Sequence, residues 1–178
     1  EMHVATYQVV SQNQVHDNDY NMNPTAFNLE LDINVELKDL IKEAITMNTD
    51  ARIEIGEDEN YNYQYLAKGQ AAEVGMIDFL LENGEDVQSL FVKRNVNCVK
   101  LIQFPFDPVL KRKTVVRNNA TSSETVRIYV KGAPEEVIPL CNATVDDSIM
   151  RVDFRKEDQD RVLGLINDQI AGKGHKPL

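Results

Sequence analysis

A chain of 178 residues can bury a real core and suits one domain. Its formal charge of −10 argues against nucleic acid and against an anionic membrane surface as bulk partners. With 42% apolar and 27% charged residues it has ordinary globular composition, and no stretch approaches the roughly 20 apolar residues that span a bilayer.

The first ten residues alternate as a strand does, with Val4, Tyr7 and Val9 apolar, and show neither the basic nor the apolar region of a signal peptide. Residues 11–28 are polar, rich in Asn and Asp, and predict a loop. Val35, Leu37, Leu40, Ile41, Ala44 and Ile45 recur at helical spacing. The charged run from Gly56 to Asn62 predicts a turn between two short strands. A helix is expected from Ala71 to Leu81, stopped at Gly84, and a second from Asp86 to Lys93.

The following half has strand composition over 98–104, 114–117 and 126–131, with a polar turn over 118–124 between the last two. Pro134 can open a short helix running to Leu140. Val162, Leu163, Leu165, Ile166 and Ile170 place a final helix over 154–171, ended by Gly172 and Gly174. Together these elements predict an α+β fold, a twisted antiparallel sheet flanked by helices. Cys98 and Cys141 are too few for a disulfide framework and read as reduced core residues, in an intracellular protein. Asn119-Ala-Thr and Asn142-Ala-Thr fit the glycosylation pattern and read as loop residues.

Four features carry possible chemistry. Phe106 lies in Phe104-Pro-Phe-Asp-Pro108, where two prolines stiffen the backbone; it is either a core ring or a ring that stacks on a base, with Phe104 the better core candidate. Lys111, Arg112, Lys113 and Arg117 put four cations into seven residues of an acidic chain. They are either a solvated strand face or a place where a polyphosphate can approach, and strand alternation turns Lys113 away from its neighbour. Lys131-Gly-Ala-Pro-Glu135 turns a strand into a helix: Gly132 permits a close backbone approach or a positive φ, and Lys131 stands at the mouth of any pocket there. Glu73, in Gly69-Gln-Ala-Ala-Glu73, either complements a helix N-terminus or accepts a hydrogen bond from an adenine amino group. Glycine-rich phosphate loops, metal-ligand spacings among His3, His16 and His175, and nucleophile–base pairs are absent, so no residue is assigned to catalysis or to a metal.

In chain order, these segments resemble the nucleotide-binding (N) domain of P-type ATPases, most closely the type II cation pumps for calcium or for sodium and protons. Phe106-Asp-Pro-Val-Leu-Lys111 is similar to the family's Phe-x-x-x-x-Lys segment, and Lys131-Gly-Ala-Pro-Glu135 to its Lys-Gly-Ala-Pro-Glu. Gly69 to Glu73 resembles Gly-x-x-Thr-Glu, with Ala72 in place of threonine. Glu1-Met-His-Val4 looks like the stretch after the phosphorylated aspartate, and Gly174 to Leu178 like the return to the phosphorylation domain, with Lys176 in place of arginine.

The resemblance implies one nucleotide-binding domain over 1–178, excised between two segments of a phosphorylation domain. Phe106 would stack on adenine, Glu73 meet its amino edge, and Lys111, Lys131, Gly132 and Lys176 serve the phosphate side. The ligand would be ATP, with Mg2+ in the intact pump, and the phosphoryl acceptor an aspartate outside this chain, so the isolated chain would bind ATP and not hydrolyse it. The implied partners are the phosphorylation and actuator domains of the parent chain, and the implied setting is a monomeric cytoplasmic domain of a multi-pass membrane protein. It would itself touch neither membrane nor nucleic acid. The alternative is a protein-interaction module of the same fold without nucleotide.

Overall fold

The computed structural model describes residues 35–57, 63–119, 122–145, 150–169 and 171–173. The strand expected over 1–10, the loop over 11–28, most of the charged turn after Gly56, and the C-terminal segment with Gly174 and Lys176 lie outside the described residues. Chain order is α1 (Val35–Met47), β1 (Arg52–Glu57), β2 (Tyr63–Lys68), α2 (Ala71–Glu82), α3 (Val87–Asn97), β3 (Lys100–Asp107), β4 (Arg112–Asn119), β5 (Ser122–Gly132), α4 (Pro134–Val137), β6 (Ala143–Val145), β7 (Arg151–Asp153) and α5 (Lys156–Gln169). Single 3₁₀ turns occupy Ile138–Leu140 and Ala171–Lys173. The expected α+β class holds, with strand pairing divided among three sheets: β1-β2, β3-β4-β5 and β6-β7. No described helix is long and apolar enough to cross a membrane.

The described residues form two compact units, one drawn from 35–105 with 113–130, the other from 106–112 with 131–173. In the first unit α1, α2 and α3 pack on one another, and α2 packs on β2. The apolar spacing of α2 delivers Ile77 and Leu80 to full burial, joined by Met47, Phe79, Val87, Cys98 and Val115. Gly84 ends this helix in the left-handed region, at φ 74°, and its N–H donates to the Leu81 carbonyl at 3.0 Å. Asp86 caps α3 by accepting from the Ser89 N–H at 3.0 Å. The hairpin β1-β2 is antiparallel, Arg52 opposite Lys68 and Glu57 opposite Tyr63.

Strand β4 alternates strictly, burying Lys113, Val115 and Arg117 and turning the residues between them outward. Two of the three inward residues are cations, so this is a strand with a polar core face. Its neighbours behave differently: on β3 and β5, Ile102, Phe104, Val126 and Ile128 are each more than half exposed. Phe104 is therefore not the core ring of its pair. Asn119 closes β4 rather than standing in a loop. Both cysteines are free, Cys98 buried and Cys141 half-buried.

A polar link ties α1 to β5 within this unit. The Tyr129 hydroxyl donates to Glu43 Oε1 at 2.6 Å, and Arg127 forms an ion pair with the same oxygen. Burial and the bond to Glu43 push the phenol up to about 12. Its unfolded value is about 10. The stabilisation is therefore full below pH 10 and lost as pH rises through about 12. Tyr129→Phe should cost about 1 kcal/mol at neutral pH. Urea titrations of both proteins should converge between pH 10 and 12; a constant difference across that window would contradict this account.

In the second unit, β6 pairs antiparallel with β7, Ala143 opposite Asp153. Helix α5 packs on the turn at 138–140, where buried Gln159 donates to the Cys141 carbonyl at 2.7 Å. Residues 143–145 and 151–153 carried no strand expectation.

Candidate functional site

The stiff run before Phe106 extends β3 to Asp107, and the chain then turns. Asp107 Oδ1 accepts from the Val109 N–H at 2.7 Å and the Leu110 N–H at 3.0 Å. Those two backbone N–H groups, Leu110's first, hold its carboxyl below the usual carboxylate range. Lys111 completes the turn at φ 46°, a left-handed conformation that is costly for a residue with a side chain. Strand β4 begins with the next residue.

The other half of the site comes from the end of β5. The Ala133 N–H donates to the Lys111 carbonyl at 3.0 Å, which fastens the exit of β5 to the entrance of β4. Gly132 makes this possible. A Cβ there would stand 2.3 Å from the Lys111 carbonyl oxygen and 2.8 Å from Arg112 Cα. Its role is thus the close approach of two backbones; its φ is not positive. Pro134 then opens α4 with its ring buried.

Phe106, Lys111, Lys131 and Gly132 consequently gather at one end of the β3-β4-β5 sheet, all within the second unit. Phe106 is 55% exposed, which removes the core-ring alternative. Lys131 is half-buried at the last turn of its strand. The Lys111 ammonium lies 3.1 Å from Glu135 Oε1, both side chains about half exposed. Glu135's own backbone N–H, and then Lys111, hold that carboxyl below its ordinary value. An exposed pair of this kind is worth little, so Lys111 can exchange Glu135 for another anion at small cost.

Glu73 belongs to the first unit, in the first turn of α2, and is 5% exposed. Its Oε2 accepts from the Asp50 N–H at 2.9 Å, and its Oε1 lies 3.3 Å from the Lys113 ammonium. The same ammonium meets Asp50 Oδ2 at 2.6 Å. Burial pushes the Asp50 carboxyl up, but the bond to Lys113 and a further one from Gln103 outweigh it, leaving Asp50 below its ordinary value. Asn48 carries the arrangement across to the strands, donating to the Lys113 carbonyl at 3.3 Å and the Tyr129 carbonyl at 2.9 Å.

This buried cation with two carboxylates was not legible in the sequence. The one available signal was the alternation of Lys113, Val115 and Arg117, which sets them on one strand face without saying which face is inward. Arg112, by contrast, starts the strand half-buried and outside this network. Lys176 lies outside the described residues.

A family model described as "P-type ATPase, cytoplasmic domain N" matches residues 36–178. The chain is 28% identical over 151 residues to a putative calcium-transporting ATPase 11, plasma membrane-type, of Arabidopsis thaliana, a similarity that covers 85% of this chain. The chain spans 13% of that relative's length. The family match runs from the start of α1 across both units and takes in every described element, and the chain belongs to the cytoplasmic N-domain family of the P-type ATPases.

Proposed function

We propose that the chain is the ATP-binding domain of a cation-transporting, calcium-pump-like P-type ATPase. The observation that carries this is the gathering of an exposed ring, two lysines and a backbone-only glycine at one sheet end. The ring of Phe106 offers a face for adenine, an interaction worth roughly 1–3 kcal/mol. Lys111 and Lys131 supply point charges for the phosphates, and Gly132 lets the strand ends that carry them approach each other. Glu73 is assigned to the adenine amino group, for which its carboxylate is the acceptor. Lys176 is assigned to the phosphate side with its charge kept and the bidentate fork of an arginine lost. In the parent protein the γ-phosphoryl group would pass to an aspartate outside this chain, with Mg2+ offsetting the charge of the phosphates.

The test is an amide NMR titration with ATP, without and with Mg2+, on the native chain and on Phe106→Ala. Saturable shifts around Phe106, Lys111, Lys131 and Glu73 are expected, with affinity reduced roughly tenfold or more in the variant. Because Phe106 is more than half exposed, the variant should keep its fold. A second reading, a protein-interaction module, draws on the exposed apolar residues Ile102, Phe104, Val126 and Ile128. It gains if ATP leaves the spectrum unchanged at millimolar concentration.

A further inference from the structure

The first unit also holds a cleft of about 390 Å³ whose lining includes Thr49, Asp50, Arg52, Arg94, Lys100 and Arg117. That volume falls in the lower part of the range of about 300–1,000 Å³ typical of small-molecule sites. Four of these residues are cations and one is a carboxylate, in a chain whose net charge is −10. The concentration of positive charge runs against the composition, and among the described residues none of the four cations forms an ion pair with a carboxylate.

Arg117 is 4% exposed; its Nε donates to the Met47 carbonyl and one terminal nitrogen to the Cys98 carbonyl, each at 2.8 Å. Arg94 donates from one terminal nitrogen to the Thr46 carbonyl at 3.0 Å and the Thr49 carbonyl at 3.4 Å, and stacks over Phe91 at 4.3 Å. In both guanidinium groups the other terminal nitrogen has no acceptor among the described residues. Lys100 donates to the neutral Gln103 amide oxygen at 2.6 Å, and the Arg52 guanidinium has no partner among the described residues. Asp50, the one carboxylate of the lining, is held by Lys113 and Gln103. Burial, and then the nearby charge of Arg117, lower the Arg94 pKa, and the charge of Asp50 offsets this only in part.

From this cleft we infer a second ligand site, for a small, multiply charged phosphate compound such as a pyrophosphate. Guanidinium groups present planar, fixed donor pairs that match phosphate oxygens, and their carbonyl bonds hold Arg94 and Arg117 in place before any ligand arrives. Arg52 and Lys100, both exposed at the rim, are free to close on the anion. None of these residues is among those assigned to the nucleotide.

The probe is inorganic pyrophosphate, titrated at constant ionic strength while the amides of 49–52 and 94–100 are followed. Saturable shifts there are expected, with affinity at least tenfold weaker in R52E/K100E and reduced by a smaller factor in R52Q/K100Q. Both positions are exposed, and the unchanged amides of α2 serve as the check on folding. Absence of saturation, equal affinity in the variants, or shifts confined to Lys111 and Lys131 would each overturn the assignment. The last outcome would give the anion to the nucleotide residues.

Discussion

Lys113→Met is expected to lower the unfolding free energy by about 3–5 kcal/mol, the usual penalty for removing one partner of a buried ion pair. The reason is the environment of Glu73, which is 5% exposed and lies 3.3 Å from the ammonium of Lys113, itself equally buried. Asp50 would lose the 2.6 Å contact that outweighs its burial. The loss should be recovered in large part by Lys113→Met combined with Glu73→Gln, which removes the stranded charge along with its partner.

The same substitution should change the acid limb of stability. In the native chain the Asp50 carboxyl lies below its unfolded value of about 3.9. Its contribution is therefore present above that value and lost as pH falls through the folded one. Without Lys113 that part of the acid loss should flatten. Urea unfolding of the three proteins between pH 3 and pH 7 measures both effects. A single-variant loss below 1 kcal/mol, or a double variant no better than the single, would contradict the account.

Gly132→Ala is the second large effect. A methyl group at this position has backbone on its open side, 2.3 Å from a carbonyl oxygen and 2.8 Å from a Cα, and neither can rotate away. Strands β4 and β5 would have to separate at the bond from Ala133 to Lys111, at an expected cost of about 2–4 kcal/mol. Under the proposed function nucleotide affinity should fall with it, because the junction fixes Lys111 beside the strand end that carries Lys131. Gly164→Ala in α5 is the natural control: nothing lies within 4 Å of its added methyl, and a helix gains roughly 0.5–1 kcal/mol from the exchange. Thermal unfolding should thus move in opposite directions for the two variants. A Gly132→Ala protein as stable as the native one would mean that the strands part freely at that junction.

The two halves of the nucleotide proposal were unequally readable. Phe106, Lys111 and Lys131 stand in local motifs whose turn chemistry, proline and glycine at fixed offsets, is written in adjacent residues. Helices α1 and α2 were equally plain, since repeated apolar spacing over 11 or more residues is a strong signal. Helix α3 ran four residues past its expected end, through Asn95-Val-Asn97, an exposed stretch of weak helical preference between Arg94, which donates to the Thr46 carbonyl, and buried Cys98.

Strands β6 and β7, three residues each, are too short to show alternation. The burial of Lys113 could not be read at all, because its partner Glu73 is 40 residues away and a strand of charged residues looks solvated from the sequence. Phe104 went the other way: a large ring in a strand reads as core, yet its side of β3 is left open.

The polar face of β4 also bears on how the chain folds. Lys113 and Arg117 find their acceptors on Glu73, Asp50, Met47 and Cys98, none of which belongs to the sheet. An isolated hairpin of β3 and β4 would hold two cations that water serves better than protein. The strand gains its buried bonds only when the ends of α1 and α3 and the start of α2 are already in place. Amide hydrogens of Lys113, Val115 and Arg117 should accordingly exchange only when those helix ends detach, so that helices and strand open together as one cooperative block.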